Sequence, residues 1–472
     1  MPSLALRILR ADASISGTAS RWTLIVCGLA IEFGLLAMRA LADWQEHVVE
    51  FIALNFAVFL FYLVAVWVTS DEKRTPLLTG RTFTLLVFFG LAFRLTLLPV
   101  FPNLSEDPLR YRWQGMLQVA GGNPYLDVPE DPQWQSLQDE TWAQVTRKDF
   151  SSVYGPVYEH LHNGWQRVAY SLWPSDPYTQ AWSYKLPYVF FELLAALALL
   201  WLLDGYGIPR QRALIWWWSP LVLTEYWGQG HNDPLAILFV LIALGAAVRK
   251  RWPLAFAALT LATATKFWPL ILFPFLLLEK EQNKWKLRWR PALISIPVGL
   301  AVSLPYLRDL SNVSDVLKGF VGGWRNNDSL YGLIYNYAGQ DFDRGTEIVT
   351  YLLAAGLIAI WSLRWERSKA ATAAIVLLLF LSANCFPWYL GWFLPLLAIR
   401  PNAALLLWTG LVPLAYNILI PYGILGEWQE LEGFRALEYL PVFGVLLMGP
   451  SLRAILQPLR RRIDGTDPQA LV

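Results

Sequence analysis

The chain has 472 residues, 56% of them hydrophobic and 16% charged, with a formal net charge of +2. A soluble protein of this length carries closer to a quarter charged residues, and a net charge so near neutral argues against nucleic acid as a partner. Two cysteines, Cys27 and Cys385, make neither a disulfide framework nor metal-ligand spacing.

Apolar runs of about 17–25 residues recur from end to end, the length that crosses a bilayer core of about 30 Å. They predict an all-α polytopic membrane protein, without the period-2 alternation of a transmembrane barrel. In chain order the predicted spans are 22–41, 51–69, 82–100, 184–203, 213–227, 234–248, 291–307, 346–363, 403–421 and 436–456. The first run lacks a small-residue cleavage site and reads as a retained helix. Two further stretches read as pairs of short helices: 253–278, with Lys266 and Pro269 in the middle, and 370–399, broken at Asn384-Cys385-Phe386-Pro387. Broken helices are tolerated at membrane depth where they are buried in protein or line a wet cavity.

Placing the N-terminus in the cytoplasm puts every basic cluster on one side, as the positive-inside rule requires. The clusters are Arg7/Arg10/Arg21, Lys73/Arg74/Arg81, Arg210/Arg212, Arg249/Lys250/Arg251, Lys284/Lys286/Arg288/Arg290, Arg364/Arg367/Lys369 and Arg460/Arg461/Arg462. The alternation works when each broken region counts as two crossings, which gives about 12–14 helices and a cytoplasmic C-terminus. The outer face then carries a long loop at 101–183, a second at 308–345, and turns at 228–234, at Lys266 and at 384–388. The long loop is rich in Trp, Tyr and Pro and is expected to fold.

The polar clusters all fall on that face. Ser105-Glu106-Asp107 has a plain reading, acids solvated at a helix N-terminus, and a chemical one, a general base taking a proton from an attacking hydroxyl. Tyr154-Gly155-Pro156 with Glu159 reads as a turn before a helix. His160 and His162 are two residues apart and point to different sides of a helix, which argues against a shared metal. His231-Asn232-Asp233-Pro234 reads as a turn in which Asp233 caps a helix with Pro234 at its first position; imidazole, amide and carboxylate together also suit sugar hydroxyls or a lipid phosphate. Lys266 costs about 3 kcal/mol at membrane depth unless it snorkels or serves a site. In Trp324-Arg325-Asn326-Asn327-Asp328-Ser329, Arg325 can clamp a phosphate through two parallel hydrogen bonds. Pro387-Trp388-Tyr389 with Trp392 and Pro395 fits an interfacial aromatic belt or the wall of a lipid site.

The spacing S-[DE]-D-x-x-R-Y-x-W-x-G-x-x-Q-x-x-G-x-N-P-Y, here Ser105 to Tyr125, resembles the first external loop of the GT-C glycosyltransferases. It is closest to the bacterial polyprenyl-phosphate-mannose-dependent mannosyltransferases. The Tyr154, His231, Lys266, Arg325 and Trp388 stretches follow in that family's order. The resemblance implies a GT-C-like bundle that transfers a hexose, expected to be mannose, from a polyprenyl-phosphate donor with inversion on the outer face of a plasma membrane. It places the base on Asp107 with Glu106 as neighbour. Donor phosphate and sugar contacts fall on Arg110, Tyr154, Glu159, His231, Asn232, Asp233, Lys266, Arg325, Asn326, Trp388 and Tyr389.

No cofactor is required and no metal site is assigned, though a divalent cation fits the chemistry beside Glu106 and Asp107. Expected partners are the lipid-linked donor, membrane lipids and a glycolipid, glycan or protein acceptor. The implied organisation is an N-terminal hairpin at 1–81, a catalytic membrane domain at 82–456 and a basic tail at 457–472. The alternatives are another lipid-linked sugar (glucose, arabinose or aminoarabinose) or a lipid or sugar transporter; no internal two-fold symmetry supports the transporter.

Overall fold

A computed structural model describes residues 17–70, 80–281, 284–307, 309, 312, 325–426, 428–431 and 433–463. Arg7, Arg10, Lys73, Arg74, Trp324, most of the 308–324 loop and the last nine residues of the tail lie outside the described residues. Helices dominate. Among the described residues six are long and apolar enough to cross a membrane: Ser20–Ala40, Val48–Thr69, Gly80–Leu97, Pro177–Tyr206, Phe342–Ser362 and Ala403–Ile424. Shorter apolar helices, Pro234–Val248, Trp252–Thr265 and Trp268–Leu277, complete much of the bundle.

Both expected breaks are present. The Trp252–Thr265 helix stops at Lys266, whose backbone is extended, before a 3₁₀ turn at Trp268–Leu272. The Arg367–Leu381 helix gives way to 3₁₀ turns at Pro387–Trp392 and Leu394–Ala398. The 213–227 stretch differs from its expected single helix. It runs as Leu214–Trp217, Pro220–Val222 and a π-helical turn at Leu223–Gly228. Pro220 has no N–H for the ladder and pushes Ser219 into an extended conformation. A small hairpin, Leu278–Glu281 antiparallel to Lys284–Leu287, was not expected in this helical chain.

The N-terminal helix pair is built into the core. Tyr62 donates to the Ile215 carbonyl at 2.7 Å, Trp44 stacks on Phe51, and Phe51 meets the edge of Tyr416. Arg94 and Glu192 form a fully buried ion pair at 2.7 Å between the Gly80–Leu97 and Lys185–Tyr206 helices. Glu192 also accepts from the indoles of Trp216 and Trp227, and Arg94 donates to the Gly90 and Trp217 carbonyls. Such a pair holds at depth because each remaining polar site has a partner. Lys185 closes the end of the Gly80–Leu97 helix, its ammonium donating to the carbonyls of Leu97, Leu98 and Val100.

The long loop is folded. It contains the Asp107–Val119, Pro156–Leu172 and Pro177–Ser183 helices. Arg112 ties the first to the last by bonding Gln180, and holds the intervening loop through Thr141 and Asp139; Gln166 of the middle helix donates to the same Gln180.

Candidate active site

Asp107 is the first residue of its helix, with Pro108 behind it, so its carboxylate sits at the positive end of the helix dipole. Tyr111, one turn on, donates to Asp107 Oδ2 at 3.1 Å. His231 Nδ1 approaches the same oxygen at 3.3 Å. Gly230 makes that approach feasible: its φ is +71°, and a Cβ there would press to 2.5 Å from the Lys185 side chain. The imidazole is flat against Trp388, with ring centres 3.6 Å apart.

Lys266 reaches the site from the helix break. Its ammonium lies 2.7 Å from Asp233 Oδ1 and above the ring of Tyr389 at 5.2 Å. Trp392 donates to the same Asp233 oxygen and stacks between Tyr389 and Trp268. Asp233 does precede the Pro234–Val248 helix, but its side chain makes no capping hydrogen bond.

Gly155 explains how Tyr154 comes close. Its N–H donates to the Thr265 carbonyl at 3.1 Å, and a Cβ on it would lie 2.1 Å from the Ala264 carbonyl oxygen. A proline here would have no such donor.

Several of these side chains open onto one cavity of about 1210 Å³, while the buried Tyr111, His231 and Asp233 lie behind its wall. Glu106, Asp107, Arg110, Tyr154, Lys266, Asn326, Trp388 and Tyr389 line it. Leu270, Ile271, Leu378, Leu379, Ile418 and Leu419 make an apolar stretch of wall, and Glu130, Gln144, Lys148 and Asp149 a polar one. Gln45, from the N-terminal pair, also lines it.

The paired acids diverge electrostatically. Burial raises the Glu106 carboxyl, and the charge of Asp107 adds to the rise against one backbone hydrogen bond. Burial alone would raise Asp107 too, but the His231 imidazole, the charge of Lys266 and the Tyr111 hydroxyl bring it below the ordinary carboxylate value. Asp107 is thus the more acidic of the two and carries its charge at neutral pH. Burial pushes the His231 imidazole down against the pull of Asp107 and Asp233. Arg110 donates to the carbonyls of Arg147, Phe150 and Ser151. Burial lowers it only to about 10, so it keeps its charge.

Of the other sequence-nominated residues, Glu159, His231, Asn232, Asp233 and Arg325 stand off the cavity wall, whereas Asn326 is part of it. Glu159 is fully buried, accepting from Gln118 at 2.7 Å and Ser152 at 2.5 Å. Asn232 is buried with its amide unpartnered, while its carbonyl accepts from Tyr158. Arg325 is 2.7 Å from Asp328, which also pairs with Arg435. Asn326 bridges to the 384 turn: its N–H donates to Ala383 and its carbonyl accepts from Cys385. Sequence reasoning missed Glu225, whose Oε2 is 3.4 Å from His231 Nε2. The available signal was a carboxylate inside an apolar run, which marks function by default.

A family model described as "Alpha-(1->6)-mannopyranosyltransferase, N-terminal domain" matches residues 16–280, over half of the chain. The chain belongs to this mannosyltransferase family. Comparisons with curated proteins and with solved structures each found no match. The matched segment of the mannosyltransferase includes the N-terminal helix pair, which the resemblance in the loop motifs had left aside, and it carries Asp107, His231 and Lys266. Trp388, Tyr389 and Trp392, which complete the cavity wall, lie beyond it.

Proposed function

We propose that this mannosyltransferase moves a mannosyl group from a polyprenyl-phosphate donor to an acceptor hydroxyl by a single displacement with inversion. Asp107 is the general base, and the reaction takes place on the external face of the plasma membrane. The observation that carries this reading is the shared cavity, where an ionised carboxylate and a lysine stand beside an apolar wall. That wall suits the first isoprene units, and the polar wall suits an acceptor glycan, glycolipid or protein side chain.

The acceptor oxygen attacks the anomeric carbon as its proton passes to Asp107. The transition state has oxocarbenium character. Charge grows on the leaving phosphate, and Lys266 with Arg110 supplies the compensating field. An α product formed with one inversion requires a β-linked mannosyl phosphate. Asp233 and Trp392 orient Lys266; Trp388 and Tyr389 make an aromatic surface for the sugar or lipid. Glu159 and Arg325, off the cavity wall, brace the loops that carry the site.

The test uses purified protein in proteoliposomes with polyprenyl-phosphate mannose. Acceptor-dependent release of polyprenyl phosphate is expected. Asp107→Asn should fold and bind donor but lose about 10²–10⁴-fold in rate, the usual contribution of a general base. Near-normal turnover by that variant would refute the assignment.

A further inference from the structure

We infer that Glu225 is a positioning residue of the transfer reaction, acting on Asp107 through the imidazole of His231. The inference rests on Asp107 being the base.

Glu225 is buried on the π-helical turn Leu223–Gly228. A π turn widens the helix, and such turns concentrate at functional sites. Here the chain folds straight back, and the His231 N–H donates to the Glu225 carbonyl at 3.0 Å. The His231 ring then lies between two carboxyl groups, with Nδ1 3.3 Å from Asp107 Oδ2 and Nε2 3.4 Å from Glu225 Oε2. Neither approach is a well-aligned hydrogen bond, and both ring nitrogens are buried with no other partner. Catalytic hydrogen bonds are often long in an empty site and tighten around substrate. The ring is held by its stack on Trp388. Glu225 Oε2 is held by the Tyr416 hydroxyl at 2.7 Å.

The chemistry follows from donors and acceptors. Asp107 must be ionised to act as a base, so its Oδ2 only accepts. An unprotonated Nδ1 would set two acceptors face to face, so Nδ1 carries a hydrogen. Glu225 makes that tautomer the favoured one: its carboxyl satisfies Nε2, either donating to a neutral ring or accepting from a charged one. Both Tyr111 and His231 then anchor Oδ2, leaving Oδ1 for the acceptor proton. This is the arrangement in which a third group orients the partner of the reacting one.

The titratable and charged groups around Asp107 are His231, Tyr111, Lys266, Glu106, Arg110, Tyr154, Tyr188, Tyr389 and Tyr416. Those around the ring are Asp107, Asp233, Lys266 and Glu225. Glu225 itself faces Tyr416 and Asp233. Without Glu225 the ring loses the partner that fixes its tautomer, and the ionised form of Asp107 loses support. The acid limb of the rate profile therefore moves to higher pH.

The test compares Glu225→Leu, Glu225→Gln and Asp107→Asn in proteoliposomes across pH. The leucine variant should lose about tenfold or more in kcat, at the low end of a general base's contribution. Its KM for donor should hold and its acid limb should rise. The glutamine variant, which can still donate to Nε2, should recover most of the rate. A leucine variant with wild-type kcat or an unmoved acid limb, beside an inactive Asp107→Asn, would overturn the role of Glu225 alone. An active Asp107→Asn would remove the base assignment itself. Should the leucine variant fail to accumulate, ¹⁵N spectra of the histidines in the native chain decide, with His231→Asn for assignment. A hydrogen on Nδ1 supports the inference, and one on Nε2 alone overturns it.

Discussion

Lys266 Nζ lies 2.7 Å from Asp233 Oδ1, an oxygen that also accepts from the Trp392 indole at 2.6 Å. The lysine therefore offers a directed charge, held at the cavity wall by a buried carboxylate. Lys266→Met should lower kcat/KM by about 10²–10³-fold if it stabilises the leaving phosphate, the usual cost of one such group. It should also destabilise the fold, because Asp233 is left buried with one donor fewer. The double variant Lys266→Met/Asp233→Asn removes both charges. Its thermal midpoint should recover while its activity does not. Recovery of activity in the double variant would mean that the lysine serves structure alone.

With Asp107 as the proposed base, its carboxyl sets the expected pH dependence. Its folded pKa is depressed, so the ionised form persists below the ordinary Asp value of about 3.9. Activity limited by this group is present above that value and disappears only as pH falls through the lowered pKa. Initial rates corrected for unfolding should stay level from neutral pH down to about 4. His231→Gln should bring the acid limb up, since the imidazole helps hold the carboxyl down. A limb already falling at pH 6 in the native enzyme would point to a different base.

On the proposed mechanism, cations of the chain itself face the leaving phosphate. Lys266 and Arg110 both line the cavity, and Arg110 spends its hydrogen bonds on neutral carbonyls. Transfer should survive thorough chelation with less than a twofold change, measured as release of polyprenyl phosphate. Loss on chelation with rescue by a divalent cation would assign that role beside Glu106 and Asp107.

Gly155 packs its backbone against the end of the Trp252–Thr265 helix, beside the lysine. Gly155→Ala forces its methyl into the Ala264 carbonyl and should cost about 1–3 kcal/mol. Gly155→Pro adds the loss of the N–H bonded to Thr265. Both should lower the thermal midpoint in detergent, proline more than alanine, and reduce kcat by shifting Lys266. An alanine variant as stable as the native protein would show that the two segments can separate at little cost.

Much of this was legible in the sequence because the bilayer forces local choices. Long apolar runs became spans, and the lysine inside 253–278 marked a real break. The acids at 106–107, Lys266 and Trp388 are far apart in the chain yet line one cavity, with His231 packed behind Asp107 and Trp388, as their shared predicted face requires. What escaped were pairings that cross between elements. Arg325 is a free-looking cation in sequence, yet it pairs with Asp328 three residues on, and only the fold brings Arg435 to that same carboxylate. Glu225 hides in an apolar run, and its pairings with His231 and Tyr416 exist only in the fold. Pro220 was a legible breaker of the 213–227 span, since it has no N–H for the ladder and restricts Ser219.

Arg94 and Glu192 provide the last test, of stability. The pair is fully buried, and Glu192 also serves two tryptophan donors. Removing one partner strands the other charge, at a cost of about 3–5 kcal/mol. Arg94→Leu and Glu192→Leu should each reduce the folded yield and the thermal midpoint sharply. Glu192→Gln should be milder with respect to the indoles, since its amide oxygen still accepts, but it removes the charge that Arg94 needs. Combining Arg94→Leu with Glu192→Gln eliminates both charges and keeps an acceptor for Trp216 or Trp227. That double variant should be more stable than Arg94→Leu alone, with a coupling of about 0.5–3 kcal/mol in a double-mutant cycle. Its transfer activity per folded molecule should match the native enzyme, because neither side chain lines the cavity. Strict additivity of the two substitutions would mean that the paired charges contribute nothing beyond their separate contacts.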